Sequence, residues 1–161
     1  MGLNVRADYG GTEAGTLAFA LSVEALGQAC ASTGVTVSVT NMVGEVIQAV
    51  GNEAQRAAYL PKLTDGTYAA GGFCLTEAGA GSDPAGMKTR AVKDGDSYIL
   101  NGAKLYITSA EYAGVFVVWG RHRSCRAEGQ GHFLLPRRGR HAWAHHRQGG
   151  KEDGPDGFCD Q

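Results

Sequence analysis

Two short segments carry the residues whose types and spacing point to chemistry. Residues 71–82 read GGFCLTEAGAGS, and residues 104–108 read KLYIT. Together they offer glycine-flanked main-chain N–H groups, the hydroxyls of Thr76, Ser82 and Thr108, and the ring of Tyr106. No histidine and no metal-ligand spacing lies among them. Such a set suits a planar, phosphate-bearing cofactor better than hydrolysis, which wants an activated nucleophile or a metal.

Gly79 and Gly81 let the main chain turn tightly and lie close to a ligand. Their N–H groups, with the Ser82 hydroxyl, can receive pyrophosphate oxygens in a small nest without a lysine. An ordinary glycine-rich surface turn has the same spacing. Thr76, at a strand end, can offer its hydroxyl and N–H to a flavin edge, where donors near the pyrimidine oxygens stabilise the reduced state. Thr108 ends a second strand in a similar setting, and alternation places Tyr106 on its face. Tyr106 either packs on an isoalloxazine or is a cross-strand aromatic within the sheet. Glu77 and Asp83 invite an acid/base pair, but with no metal ligand or histidine nearby they read as supporting or turn carboxylates.

The elements that must position these groups follow from periodicity. Residues 14–30 repeat apolar side chains at Leu17, Leu21, Ala25 and Ala29, the spacing of a helix face. Ser32-Thr33-Gly34 breaks that run, and residues 35–50 form a second helix stopped by Gly51. Asn52 and Gln55 make a capping box for a short helix that ends near Leu60, ahead of Pro61. From residue 69 the period falls towards two, with strands at 69–75, 88–93, 97–100, 103–108 and 113–119. Turns are expected at Asp94-Gly95-Asp96 and, in type I′ form, at Asn101-Gly102. Helices first and antiparallel strands later indicate an α+β fold, with a helical N-terminal part followed by an incomplete antiparallel β domain. No Gly-x-Gly-x-x-Gly opens a helix after a first strand, which argues against a Rossmann domain. The expected organisation is 1–68 helical, 69–119 β, and 120–161 a separate basic tail.

Composition bounds the remaining readings. A formal charge of -1 with 43% apolar residues is that of a globular chain, not a nucleic-acid binder. The 25 glycines have no period, which excludes collagen and most solenoids. The four cysteines form no CxxC pair, so zinc and thioredoxin-type centres are unsupported; Cys30 and Cys74 read as buried thiols. No apolar run of membrane-spanning length and no secretory h-region is present, and a cytoplasmic location is the expectation. Beyond Gly120 lie all 5 His and most of the Arg, including Arg137-Arg138-Gly139-Arg140 and His145-His146-Arg147. A nucleic-acid patch lacks a supporting motif there, and metal capture by His141, His145 and His146 lacks carboxylate neighbours. The segment reads as a poorly packed tail.

In five ordered blocks the chain resembles the acyl-CoA dehydrogenase family. They are Gly2-Leu3-Asn4-Val5 with Tyr9-Gly10-Gly11, Glu24-Ala25-Leu26-Gly27, Gly51-Asn52-Glu53-Ala54-Gln55 with Tyr59-Leu60-Pro61, LTEAGAGSD from Leu75 to Asp83, and NGAKLYIT from Asn101 to Thr108. The resemblance implies FAD, with Phe73, Leu75, Thr76, Gly81 and Ser82 along the flavin, Leu75 and Thr76 at the ring, and Ser82 also near the acyl-CoA substrate. Tyr106, Ile107 and Thr108 would form the second flavin contact. Many members carry Trp where Tyr106 stands and Pro where Ala78 stands. The implied reaction is α,β-dehydrogenation of acyl-CoA thioesters to enoyl-CoA, with an electron-transfer flavoprotein as acceptor and a homo-oligomeric enzyme. The family's catalytic glutamate lies in a C-terminal helical domain with no counterpart here, so no catalytic residue is assigned and this chain alone is expected to be inactive. The Arg/His/Gly-rich segment after Trp119 reads as a wrong-frame product of a truncated gene. Two alternatives stand beside this reading: an acyl-CoA oxidase-like flavoprotein, and a non-catalytic helical interaction module using residues 14–50.

Overall fold

The computed structural model describes residues 1–94, 97–123, 128–136 and 158–159. They fall into two compact units: residues 1–73 with 107–117, and residues 74–106 with those from 118 onward.

The first unit is built on three helices, α1 (Gly15–Ala29), α2 (Ala31–Val50) and α3 (Glu53–Thr64). The break between α1 and α2 falls at Cys30, which is extended at φ -156°, and not at Ser32-Thr33-Gly34. Gly34 lies inside α2, where an added Cβ would sit 3.2 Å from the Gly27 backbone. Its glycine thus serves close approach of two helices, and does not interrupt one. Asn52 and Gln55 form the expected reciprocal capping box at α3. The helix then continues through Pro61 to Thr64, because Leu60 and Leu63 on either side are fully buried and offset the one backbone bond proline removes. Gly51 ends α2 in an extended conformation, without the left-handed turn common at helix ends.

The N-terminal residues lace this unit together. Leu3 donates its N–H to Asn41 Oδ1 at 2.6 Å, and the Tyr9 hydroxyl donates to Glu53 at 2.6 Å. Strand β1 (Ala70–Cys74) follows, and the Gly71 N–H reaches the buried Thr40 hydroxyl at 3.3 Å. The core of the unit contains Val5, Val43, Ile47, Leu60, Leu63, Val115, Phe116 and Val117.

In the second unit β2 (Arg90–Asp94) and β3 (Ser97–Asn101) form an antiparallel hairpin in register from Arg90–Asn101 to Asp94–Ser97. The turn expected at Asp94-Gly95-Asp96 falls on Gly95 and Asp96, which lie outside the described residues. Strand β4 (Ala113–Arg123) contributes to both units, and its later residues pair with β2 in parallel, Arg90 opposite Arg121. The sheet order is β1-β4-β2-β3-β6, with β5 (Glu128–Pro136) on β4 and β6 being Phe158–Cys159. The sheet is thus mixed: β2 pairs with β4 in parallel, and β2–β3 and β3–β6 are antiparallel. The expected Asn101-Gly102 turn and the 103–108 strand are absent. Asn101 ends β3, and residues 102–107 run as irregular chain. Gly102 is required for a different reason: a Cβ there would lie 2.7 Å from the Thr89 Cα. The arginine and histidine clusters from Arg137 to Arg147 lie outside the described residues.

Candidate functional site

The site is built at the exit of β1. In the second unit, Glu77 and Ala80 close a tight turn by exchanging backbone bonds, Glu77 N–H to Ala80 at 3.3 Å and Ala80 N–H to Glu77 at 3.1 Å. Gly79 and Gly81 flank Ala80, exposed and without positive φ. Their glycine character is therefore not required by backbone conformation. What distinguishes them is space, since an added Cβ at either would meet nothing within 4 Å. Ser82 is exposed beside them. Asp83 is a turn residue, its Oδ1 accepting the Ala85 N–H at 3.1 Å to cap the 3-10 turn Pro84–Gly86.

Leu75 and Thr76 are half-buried, and the Thr76 carbonyl accepts the Leu105 N–H at 2.8 Å. That bond brings the two segments singled out in the sequence side by side. Tyr106, next along, is 90% exposed and has φ +57°, a left-handed conformation that a non-glycine residue rarely adopts. It is not a cross-strand aromatic, and strand alternation does not relate it to Thr108, because no strand exists there.

The buried chemistry beneath this edge was not visible in the sequence. Lys104 and Glu77 pair at 2.8 Å, with side chains 4% and 9% exposed. Glu77 also accepts the backbone N–H groups of Lys88 at 2.5 Å and Thr89 at 3.0 Å. Burial pushes the Glu77 carboxyl up, but the bonds from Lys104, Thr89 and the two backbone amides prevail and hold it down at about 2. Glu77 is thus a structural anion and is committed, as its reading as a supporting carboxylate required. Burial pushes the nearby Cys74 thiol up to about 12, an inert core cysteine.

In the first unit, Phe73, Ile107 and Thr108 are half-buried. Thr108 lines an open cleft of about 650 Å³ with Val35, Thr36, Ala70, Ser109 and Tyr112. The Thr36 and Ser109 hydroxyls lie 3.3 Å apart in it, and Ser109 also has a left-handed backbone at φ +56°. The α2 residues of this wall were missed because a helix face shows its period but not what it faces. Cys30 is exposed, contrary to its expected burial. It sits at the exposed break before α2, where hydrogen bonds from the Ser32 side chain and then Thr33 lower its pKa to about 7. Among the described residues no cluster of three His, Cys, Asp or Glu could hold a metal, and no helix is long and apolar enough to cross a membrane.

This arrangement offers an outward aromatic ring, open backbone at two glycines and hydroxyls at the rim, over a neutralised ion pair. It can bind and orient a flat, anionic ligand. It holds no side chain poised to take a proton, since Glu77 and Asp83 are both engaged.

The chain as a whole is similar to known proteins. Residues 1–67 match the model of the acyl-CoA dehydrogenase N-terminal domain, and residues 72–152 that of the acyl-CoA dehydrogenase middle domain. The short/branched chain specific acyl-CoA dehydrogenase of Rattus norvegicus mitochondria is 45% identical over 120 residues, 74% of this chain and 27% of that protein. A glutaryl-CoA dehydrogenase from Mycobacterium smegmatis, solved in complex with FADH2, superposes with a TM-score of 0.75 at 36% identity, over 84% of this chain and 34% of that one. Butyryl-CoA dehydrogenase from Megasphaera elsdenii superposes with a TM-score of 0.74 at 34% identity, over 84% and 37%. The chain thus spans about a quarter to just over a third of the relatives it matches.

Proposed function

This chain belongs to the acyl-CoA dehydrogenase family, and from that premise we propose that it supplies the flavin edge of an FAD-dependent enzyme oxidising acyl-CoA thioesters to enoyl-CoA. The observation that carries this reading is the Leu105–Thr76 backbone bond beside an outward, left-handed Tyr106. Leu75 and Thr76 would hold the ring edge, Gly81 and Ser82 the pyrophosphate, and Phe73, Tyr106, Ile107 and Thr108 the remaining flavin surface. The open space at Gly79 and Gly81 fits a phosphate lying against main-chain N–H groups. Bound FAD would accept the hydride from the substrate β-carbon. The chain's own residues would bind and orient: hydroxyl and amide donors at the ring edge would favour its reduced, more anionic state, and Ser82, by the family resemblance, would meet the acyl-CoA as well.

The α-proton needs a base that Glu77 and Asp83 do not provide, so we assign it to a group outside this site, and from the family we infer a homo-oligomer and an electron-transfer flavoprotein as acceptor. The test is colour. The protein titrated with FAD should give a red-shifted, structured flavin absorption band with altered fluorescence. An unperturbed flavin spectrum at high protein concentration would reject the reading. An oxidase-like variant of it differs only in rapid reaction of the reduced flavin with O₂.

One observation favours a second reading. Helix α1 buries none of its residues and exposes Leu17 and Leu21, as a helical interaction module would. A colourless, monodisperse, helical protein that ignores FAD would favour that module.

A further inference from the structure

Two successive residues of one segment grip two successive residues of another. Lys104 donates its Nζ to the Leu75 carbonyl at 2.9 Å, and Leu105 donates its N–H to the Thr76 carbonyl at 2.8 Å. The same Nζ pairs with Glu77 Oε1 at 2.8 Å, and Glu77 receives the N–H groups of Lys88 and Thr89. Residues 75–77, 88–89 and 104–105 therefore meet on one buried ion pair.

A single backbone bond at Leu105 fixes one point and leaves residues 104–106 free to slide or pivot. The Lys104 bridge fixes a second point one residue away, which removes that freedom. Tyr106 then continues in a left-handed conformation, which a non-glycine residue keeps only where its surroundings over-determine it. With the ring 90% exposed, no packing of Tyr106 itself supplies that constraint. The constraint comes through the flanking backbone, which Lys104 and Leu105 hold on the preceding side.

We propose that Lys104, held by Glu77, is a positioning residue that sets the register of residues 104–106 on 75–77 and thereby presents the Tyr106 ring to the cofactor. The cofactor part of this inference rests on the FAD reading above; the register part does not. A pair that served stability alone would behave differently, because its loss would loosen the whole second unit together.

The experiment uses the full 161-residue chain as wild type, K104M, K104R and the charge-free double variant E77Q/K104M. The double variant leaves no buried carboxylate uncompensated and keeps a side-chain carbonyl at position 77 for a backbone amide, so it tests the tether if K104M fails to fold. Amide hydrogen exchange is read without FAD, and affinity by FAD titration. Both tether-less variants should speed exchange at the Leu105 amide, which bonds the Thr76 carbonyl, at least about tenfold relative to the β2–β3 hairpin amides. FAD affinity should fall about tenfold, with K104R restoring most of both. Uniform acceleration across the second unit, or unchanged Leu105 exchange with FAD affinity within about twofold of wild type, would overturn the proposal. A wild type that does not perturb the flavin spectrum would reject the cofactor reading alone, and the Leu105 contrast would still decide the register claim.

Discussion

Replacing Tyr106 with glycine should separate stability from function, moving them in opposite directions. The φ of +57° at Tyr106 costs an L-residue about 1–2 kcal/mol relative to a right-handed conformation. Glycine removes that cost and adds about 0.5–1 kcal/mol of chain entropy lost on folding. The ring is 90% exposed, so its removal forfeits almost no burial. The net change is therefore about 0 to 1.5 kcal/mol of stabilisation, where a typical substitution destabilises. Binding should respond the other way. If one face of a side chain of about 200 Å² covers the flavin, about 100 Å² of apolar contact is lost, or about 2.5 kcal/mol. An aromatic stacking contribution of about 0.5–1.5 kcal/mol goes with it. A loss of about 3 kcal/mol is roughly a hundredfold rise in the FAD dissociation constant. Urea unfolding followed by circular dichroism and FAD titration by fluorescence give both numbers on one preparation. Destabilisation by more than about 1 kcal/mol together with unchanged FAD affinity would refute the reasoning, making Tyr106 a packing residue.

Four further outcomes follow from the structure. The Glu77 carboxyl falls from 4.5 to about 2 on folding, so its contribution, roughly 3 kcal/mol, is fully present above about pH 5 and roughly half lost by pH 3. Urea midpoints of wild type and Glu77→Gln should accordingly converge on acidification, and a gap independent of pH would contradict this. Cys30 should be alkylated by iodoacetamide with half-maximal rate near pH 7 while Cys74 stays unreactive, as resolved by peptide mass spectrometry. Ser32→Ala should move the Cys30 profile to higher pH; equal rates at the two cysteines would exclude the exposed, hydroxyl-stabilised thiolate. Gly81→Ala has room and should change stability by less than about 0.5 kcal/mol, yet weaken FAD binding about tenfold if a phosphate lies against that backbone. By contrast Gly72→Ala would drive a Cβ into the edge of the Phe116 ring, 2.7 Å from its Cε1 and closer still to Cδ1, and should destabilise by about 1–3 kcal/mol, seen in the same urea experiment.

What could be read from residues alone was local. The Asn52–Gln55 capping box and the β2–β3 hairpin depend on neighbours in sequence, and both form as their residue types require. Misreadings arose where distant packing overrides a local signal. Pro61 looks like a stop until Leu60 and Leu63 are seen to be buried on both sides of it. Asn101-Gly102 looks like a hairpin turn, but the glycine answers to Thr89, thirteen positions earlier in the chain. Of the site, Thr76 and Tyr106 were legible as residue types with suitable chemistry. Their juxtaposition was legible only through the family resemblance, because physically it depends on Lys104 reaching Glu77 and Leu75 across 27 and 29 positions. No periodicity encodes such a contact.

In the proposed function one flavin rests against both segments. Backbone amide spectra of the isotopically labelled chain, recorded while FAD is added, test it most directly. Saturable shifts should concentrate at Thr76, Gly81, Ser82 and residues 106–108. Shifts that leave these amides untouched, or that gather on the exposed face of α1, would contradict it.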